Sequence, residues 1–354
     1  MNDNYEACLV IDDFPANGSY WRRAQTHAFG YPTPEVCEWS IGWPRQAAAP
    51  FINVDILRGL VDLVEEFDIR GKMTILPCPG GLGRIDRSIR NLDDRTLKEI
   101  LKITRDRLAG RFDLSLEVLT HSMALDIKTG ALLPHTESAW VSHLASPGKG
   151  HHEMLCEYID HGVGILSNAG FSPKCVSIGG MPDVSGITRN RMLHDNHNIK
   201  RLADAVHDVF SRHFPNEKAF FVAASSRYVG RISKTRALPE KIRTYGDGTS
   251  IFHSVTSVGE SPLSLFSGRG NPETTADSLV SKDLKGGSFI KTLESGRALV
   301  FLCHAQTLSS INTGLGLTAL QIALKRLRQR YGRQLNWKTP TELVNANKSI
   351  YKMK

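Results

Sequence analysis

Short apolar runs alternate with helix-period segments over nearly the whole chain, and this alternation restricts the fold more than any other feature. The runs are Cys8 to Ile11, Lys72 to Leu76, Leu114 to Leu119, Lys174 to Ile178, Ala219 to Ala224, Ser250 to Val255 and Ala298 to Cys303. Each reads as a buried strand. Between them, Asn53 to Phe67, Asp94 to Leu108, Glu153 to Ala169, Arg201 to Phe214 and Gly314 to Tyr331 carry apolar residues at spacings of three and four, the period of a helix. Strands interleaved with helices argue an α/β fold with a parallel sheet and helices outside it. Right-handed crossovers then bring the strand carboxyl ends to one face. Gln334 to Trp337 reads as a closing strand.

Chemistry-bearing residues stand where those carboxyl ends should be. The first run ends in Ile11-Asp12-Asp13-Phe14-Pro15, the third in Thr120-His121, the fourth leads to Pro182-Asp183, and the last ends at His304. Successive side chains of a strand face opposite ways, so Asp12 and Asp13 share a direction only if the chain turns between them. Two adjacent acids can then divide their work, one on a metal ion and one on a proton. The simpler reading of such a pair is a turn cap beside a solvated acid.

Composition bounds the class. With 354 residues, 23% charged and 41% apolar, the chain is an ordinary globular protein able to bury a full core, and we expect a single domain over 1–354. No apolar run reaches the roughly 18 residues needed to span a bilayer. The first strand starts by about Ala7, which leaves no room for a cleavable leader, so a cytoplasmic protein is expected. Six cysteines without a CxxC pair suggest buried free thiols. The net charge of +8 permits anionic partners. Its densest basic group, Lys325, Arg326, Arg328, Arg330 and Arg333, belongs to an amphipathic helix and reads as a solvated face, so no nucleic-acid partner is expected. Three long segments, 16–50, 225–249 and 259–270, read as loops, and Thr129-Gly130 suggests a hairpin inserted after the third strand. The aromatics of the first loop, Trp21 among them, could stack on sugar rings or form a small satellite core.

With these residues in place, the sequence resembles the polysaccharide deacetylase superfamily, the NodB-homology fold. The resemblance rests on Ile11-Asp12-Asp13-Phe14-Pro15, Lys72-Met73-Thr74-Ile75, Thr120-His121-Ser122 and Leu302-Cys303-His304 followed by a helix that starts at Gly314. It implies a distorted or incomplete (β/α) barrel of about seven strands with long loop insertions. It also implies Asp12 as catalytic base, His304 as general acid, and Asp13 and His121 as ligands of a divalent metal, zinc first, with cobalt or manganese as alternatives. The family spaces its two metal-binding histidines HxxxH, but Leu125 stands four residues after His121. Asp126 is the nearest replacement, followed by His135 and then His152. Asp126 could instead cap its own turn, His121 could be a hydrogen-bonded core histidine, and His304 could be tucked under the following helix. The position of the family's Arg-x-Pro segment is held by Pro182 and Asp183, without the Arg. Trp21, Pro182 and Trp337 are the expected substrate-lining residues.

The resemblance implies a metal-dependent hydrolase that removes an N- or O-acyl group, acetyl above all, from a carbohydrate. A glycosidase using Asp12 and Asp183 without a metal is the rival enzyme, because such enzymes need only two paired carboxyls. A barrel that binds carbohydrate and has lost its chemistry is the non-enzymatic rival, and the broken HxxxH spacing favours it. The oligomeric state is not legible in the sequence.

Overall fold

The structure is a computed structural model that describes residues 4–15, 51–90, 92–121, 123–178, 196–224, 237–259, 270–310 and 312–352. Its first half contains β1 (Tyr5–Phe14), α1 (Val54–Glu66), β2 (Gly71–Ile75), α2 (Asp94–Ile103) and β3 (Phe112–Glu117). A hairpin of β4 (Met123–Leu125) and β5 (Leu132–Thr136) follows, then α3 (Glu137–Leu144), α4 (His151–Asn168) and β6 (Cys175–Ile178). After these come α5 (Asn196–His213), β7 (Ala219–Ala224), β8 (Glu240–Thr244), β9 (Ser250–His253), α6 (Pro272–Leu279) and α7 (Ser288–Glu294). The described chain closes with β10 (Leu299–His304), α8 (Ala305–Ser309), α9 (Leu315–Tyr331), β11 (Leu335–Trp337), α10 (Pro340–Ala346) and α11 (Lys348–Lys352).

Local chemistry sets the helix starts. Asn53 caps α1 by accepting from the Ile56 N–H, and Asp93 does the same for α2 through Thr96. Thr339 and Glu342 form a reciprocal capping box at the start of α10.

One mixed sheet runs in the order β10-β1-β2-β3-β6-β7-β9-β8, with β11 pairing β1 off that path. Its two end strands, β10 and β8, do not meet among the described residues, so the sheet is an open barrel fragment. All seven strands expected from the apolar runs are present and parallel. The closing strand expected at Gln334 to Trp337 is β11, parallel to β1, and the addition to the sheet is the antiparallel edge strand β8. The sequence Glu-Lys-Ile-Arg-Thr of β8 buries no side chain fully, and without an apolar face it gives no strand signal. Charged edge strands of this kind discourage pairing with another chain.

Alternation along the strands sorts two environments. Leu9, Ile11, Met73, Ile75, Leu114, Leu116, Val176, Phe301 and Cys303 join the large core shared with the helices. Their neighbours point to the opposite face, where Cys8, Val10, Ala298, Val300 and Leu302 make a smaller apolar cluster. Lys72, Ser115 and Ser177 share that face and are buried: Lys72 Nζ donates to Ser177 Oγ at 2.8 Å, and the two serine hydroxyls are 2.8 Å apart. A polar inner face at the carboxyl end of a sheet is where a site can form.

Of the basic residues expected to form a solvated face, Lys325, Arg328 and Arg333 are exposed, but Arg326 is not. Arg326 is buried, 2.6 Å from Asp277 and 2.8 Å from Glu273, and donates to the Val280 carbonyl. Arg328 lies 3.9 Å from the centre of the Phe67 ring, and Arg330 pairs with Glu294. The burial of Arg326 follows from packing: α9 lies against α6, whose acids Glu273 and Asp277 meet it. The five described cysteines other than Cys37 are all free thiols, four of them buried.

The β1–β2 ladder closes over Gly71, where a methyl group would sit 1.8 Å from the Leu9 carbonyl oxygen. We expect Gly71→Ala to cost about 3 kcal/mol of stability, seen as a lower denaturation midpoint at unchanged m-value. A midpoint equal to wild type would show that the two strands can separate without loss.

Candidate functional site

The site starts at a fault in a ladder. Ile11 pairs with Met73, but Phe14 pairs with Ile75, so β1 carries one residue more than β2 over this step. The extra residue is accommodated by Asp13, whose φ of 65° is left-handed. Its N–H leaves the sheet and donates to Thr74 Oγ1 at 2.8 Å and Glu117 Oε2 at 3.0 Å. The turn that the adjacent acids required is therefore present, and the two carboxylates part. Asp12, facing the same side as its ladder partner His304, lies 3.2 Å from Lys72 Nζ. Asp13 Oδ1 lies 3.3 Å from His121 Nε2. Asp13 Oδ2 accepts from Gln306 Nε2 at 2.7 Å and is 4.0 Å from His304 Nε2.

His121 is placed from both ends. Its backbone is also left-handed, with φ 56°, and is held by the carboxylate of Glu137 at the start of α3. That carboxylate accepts from the N–H groups of Leu119 and Thr120 at 3.0 Å and of His121 at 2.5 Å, while Tyr158 donates to it at 2.6 Å. On the ring side, His121 Nδ1 is 2.5 Å from Glu117 Oε1. A histidine whose Nδ1–H donates to a carboxylate is held with Nε2 turned the other way, which is the outer support that metal-ligating histidines use.

Burial and charge compete here. Burial alone would raise Glu117, but the His121 charge and the hydrogen bonds from His121, Thr74 and the Asp13 N–H hold it far below the carboxylate range. Burial would lower His121, yet Asp13 and Glu117 outweigh it and lift the imidazole to about 9. Asp13 is pushed up to about 7 by burial against the pull of His121. Two carboxylates thus share one imidazole in a dry setting, leaving the group short of positive charge. Asp12 is raised by burial more than Lys72 lowers it, and Lys72 stays charged because Asp12 offsets its own burial.

The donor set fits a divalent cation. Two ligands at about 2.0 to 2.1 Å from one tetrahedral zinc lie about 3.3 Å apart. That is the separation of Asp13 Oδ1 and His121 Nε2, 3.3 Å. Asp13 Oδ1 is buried and accepts no hydrogen bond among the described residues. Asp13, Glu117 and His121 together offer one ligand atom each within 4.8 Å of one another.

Of the residues expected from sequence, Asp12, Asp13, His121 and His304 come together on one rim. Asp126 does not join them: its carboxylate accepts from the N–H groups of Lys128 at 2.9 Å and Thr129 at 3.3 Å, capping the tip of the β4–β5 hairpin. His135 stacks on Trp140 with ring centres 5.8 Å apart, and His152 faces Asp208 at 2.9 Å. Trp337 pairs with Ala7 at the amino end of β1, five residues and roughly 16 Å along the strand from Asp12. Trp21, Pro182 and Asp183 lie outside the described residues. Sequence reasoning missed Lys72, Glu117, Glu137 and Gln306. Glu117 could have been found: Ser115 and Glu117 alternate with Leu114 and Leu116, which turns the acid to the polar face four residues before His121.

No protein-family profile matches the sequence, and no curated protein matches it. Six solved chains do. One is a Mycobacterium smegmatis chain designated a polysaccharide deacetylase, 12% identical with a TM-score of 0.49 over 99% of this chain and 91% of that one. Another is a mutant of a CE4 family pseudoenzyme with restored enzymatic activity, 9% identical with a TM-score of 0.39 over 97% of this chain and 69% of that one. At this level of likeness no chemistry transfers from either chain, and the site stands on its own geometry.

Proposed function

We propose that this chain is a metal-dependent hydrolase that removes an acyl group, acetyl above all, from a carbohydrate. The observation that carries the reading is the facing pair Asp13 Oδ1 and His121 Nε2 at 3.3 Å, backed by Glu117 and flanked by Asp12 and His304. A zinc-type cation held by Asp13 and His121 would supply Lewis-acid polarisation of an acyl carbonyl and of a water beside it.

The chain's own residues supply the rest. Asp12, a carboxylate made more basic by burial, takes the proton of the attacking water. Lys72 keeps Asp12 aimed and balances its charge before the proton arrives. His304, with its side chain 30% exposed, can exchange protons with solvent and deliver one to the departing nitrogen or oxygen. Gln306 fixes Asp13 through its second oxygen, leaving the first aimed at His121. Carbohydrate as the acyl carrier rests on the resemblance of the sequence motifs, as does zinc ahead of cobalt or manganese.

One observation favours a second reading, a barrel that binds carbohydrate without catalysis. Because Asp126 is spent on its hairpin, it adds no ligand to Asp13, Glu117 and His121, and Glu117 is itself engaged with His121 Nδ1.

We expect the protein loaded with zinc, cobalt or manganese to release acetate from an acetylated glycan, and Asp12→Asn or His304→Gln to lower kcat by about 10² to 10⁴. Glycan binding without acetate release, unchanged by Asp12→Asn, supports the second reading and ends the first. Elemental analysis should find a divalent metal in the purified protein and about one equivalent less of it in Asp13→Ala; equal metal content in both would remove Asp13 from the ligand set. Lys72→Met should destabilise the fold by about 3 kcal/mol, because a buried carboxylate loses its counter-charge, and adding Asp12→Asn should recover most of it. No recovery in the double variant would mean that Lys72 acts through packing.

A further inference from the structure

A second group of donors converges between α4 and α5, sharing no residue with the Asp13 site. His152 and Cys156 stand four residues apart on α4 and so share a face. Asp208 comes from α5, which packs alongside. His152 Nε2 is 2.9 Å from Asp208 Oδ2 and 3.6 Å from Cys156 Sγ, and one donor atom of each residue lies within 4.8 Å of the others.

The arrangement distinguishes between two chemistries. A nucleophilic relay sets the thiol at one imidazole nitrogen and the acid at the other. Here a single nitrogen, Nε2, faces both. Donors that crowd one point instead suit a shared cation. Zinc bonds of about 2.3 Å to sulfur and 2.0 to 2.1 Å to nitrogen put those atoms about 3.5 Å apart in a tetrahedron, close to the 3.6 Å between Sγ and Nε2.

Outer support is present as well. Asp208 Oδ1 is 3.1 Å from His207 Nδ1, and the His207 ring stacks on Tyr245 with centres 3.8 Å apart. The carboxylate is thereby oriented before any ion arrives. His152 and Asp208 keep 41% and 51% of their side chains exposed, so an ion can enter from solvent.

We propose that His152, Cys156 and Asp208 form a surface site for a zinc-type divalent cation that clasps α4 to α5, with its fourth position open to water. The mixed sulfur, nitrogen and oxygen set selects zinc or cobalt over magnesium or calcium. Binding releases the thiol proton of Cys156 to solvent and leaves the His152 proton on Nδ1.

Cobalt titration of the full chain tests this, because only a cysteine ligand gives a thiolate-to-cobalt charge-transfer band in the near ultraviolet. The band should vanish in Cys156→Ser, weaken in affinity by about tenfold or more in Asp208→Asn, and persist in Asp13→Ala, where it should saturate at one equivalent. Zinc should displace it and raise the melting temperature of Asp13→Ala, but not that of Asp13→Ala combined with His152→Gln with its circular dichroism unchanged. A wild-type protein without the band in excess cobalt, or a band that survives Cys156→Ser, overturns the proposal. Loss of the band in Asp13→Ala also overturns it, since the two sites would then not be separate.

Discussion

One backbone N–H, that of Asp13, sets the rest of the site in place. By leaving the β1–β2 ladder for Thr74 and Glu117, it turns the chain between two adjacent acids and fixes the Glu117 carboxylate that in turn grips the His121 ring. Had the ladder run on in register, Asp13 would face the helices and its charge would enter the apolar core. The left-handed backbone at Asp13 is tolerated because two side-chain acceptors, on β2 and β3, hold it there.

This dependence explains which buried charges the fold can keep. Lys72, Asp12, Asp13, Glu117 and His121 are each costly away from water, and each has a partner of opposite charge or a hydrogen bond at close range. The balance is complete at the Asp12–Lys72 pair. Around His121 two carboxylates, Asp13 and Glu117, face a single imidazole. Polar strand residues on the inner face, such as Ser115 and Ser177, continue the hydrogen-bonded lining below.

Much of the architecture was legible because apolar runs carry strong local signals. Seven strands, the main helices and the hairpin at Thr129-Gly130 follow from period and turn chemistry alone, with ends within a few residues. Where burial is partial the signal fades: β8 has one half-buried side chain, and α6 and α7 are short. At the site, residues at strand ends could be read as converging, since the sheet's handedness demands it. Residues that act through a neighbour could not. Glu137 is an acid in a helix until the fold brings three N–H groups to it, and Arg326 is a surface cation until α6 covers it. Spacing also misled: Asp126 follows His121 closely, but the hairpin uses its carboxylate for its own turn.

The grip of Glu137 on the segment from Leu119 to His121 has a consequence for how this barrel can change. The β4–β5 hairpin leaves and returns through that one carboxylate, with Tyr158 behind it, so the inserted arm is moored at its root, while the turn from Lys128 to Ala131 is exposed. Its outer end could therefore lengthen, shorten or take on new contacts over evolutionary time while the imidazole below stays where it is, whereas any change at the root would be felt at once by the histidine.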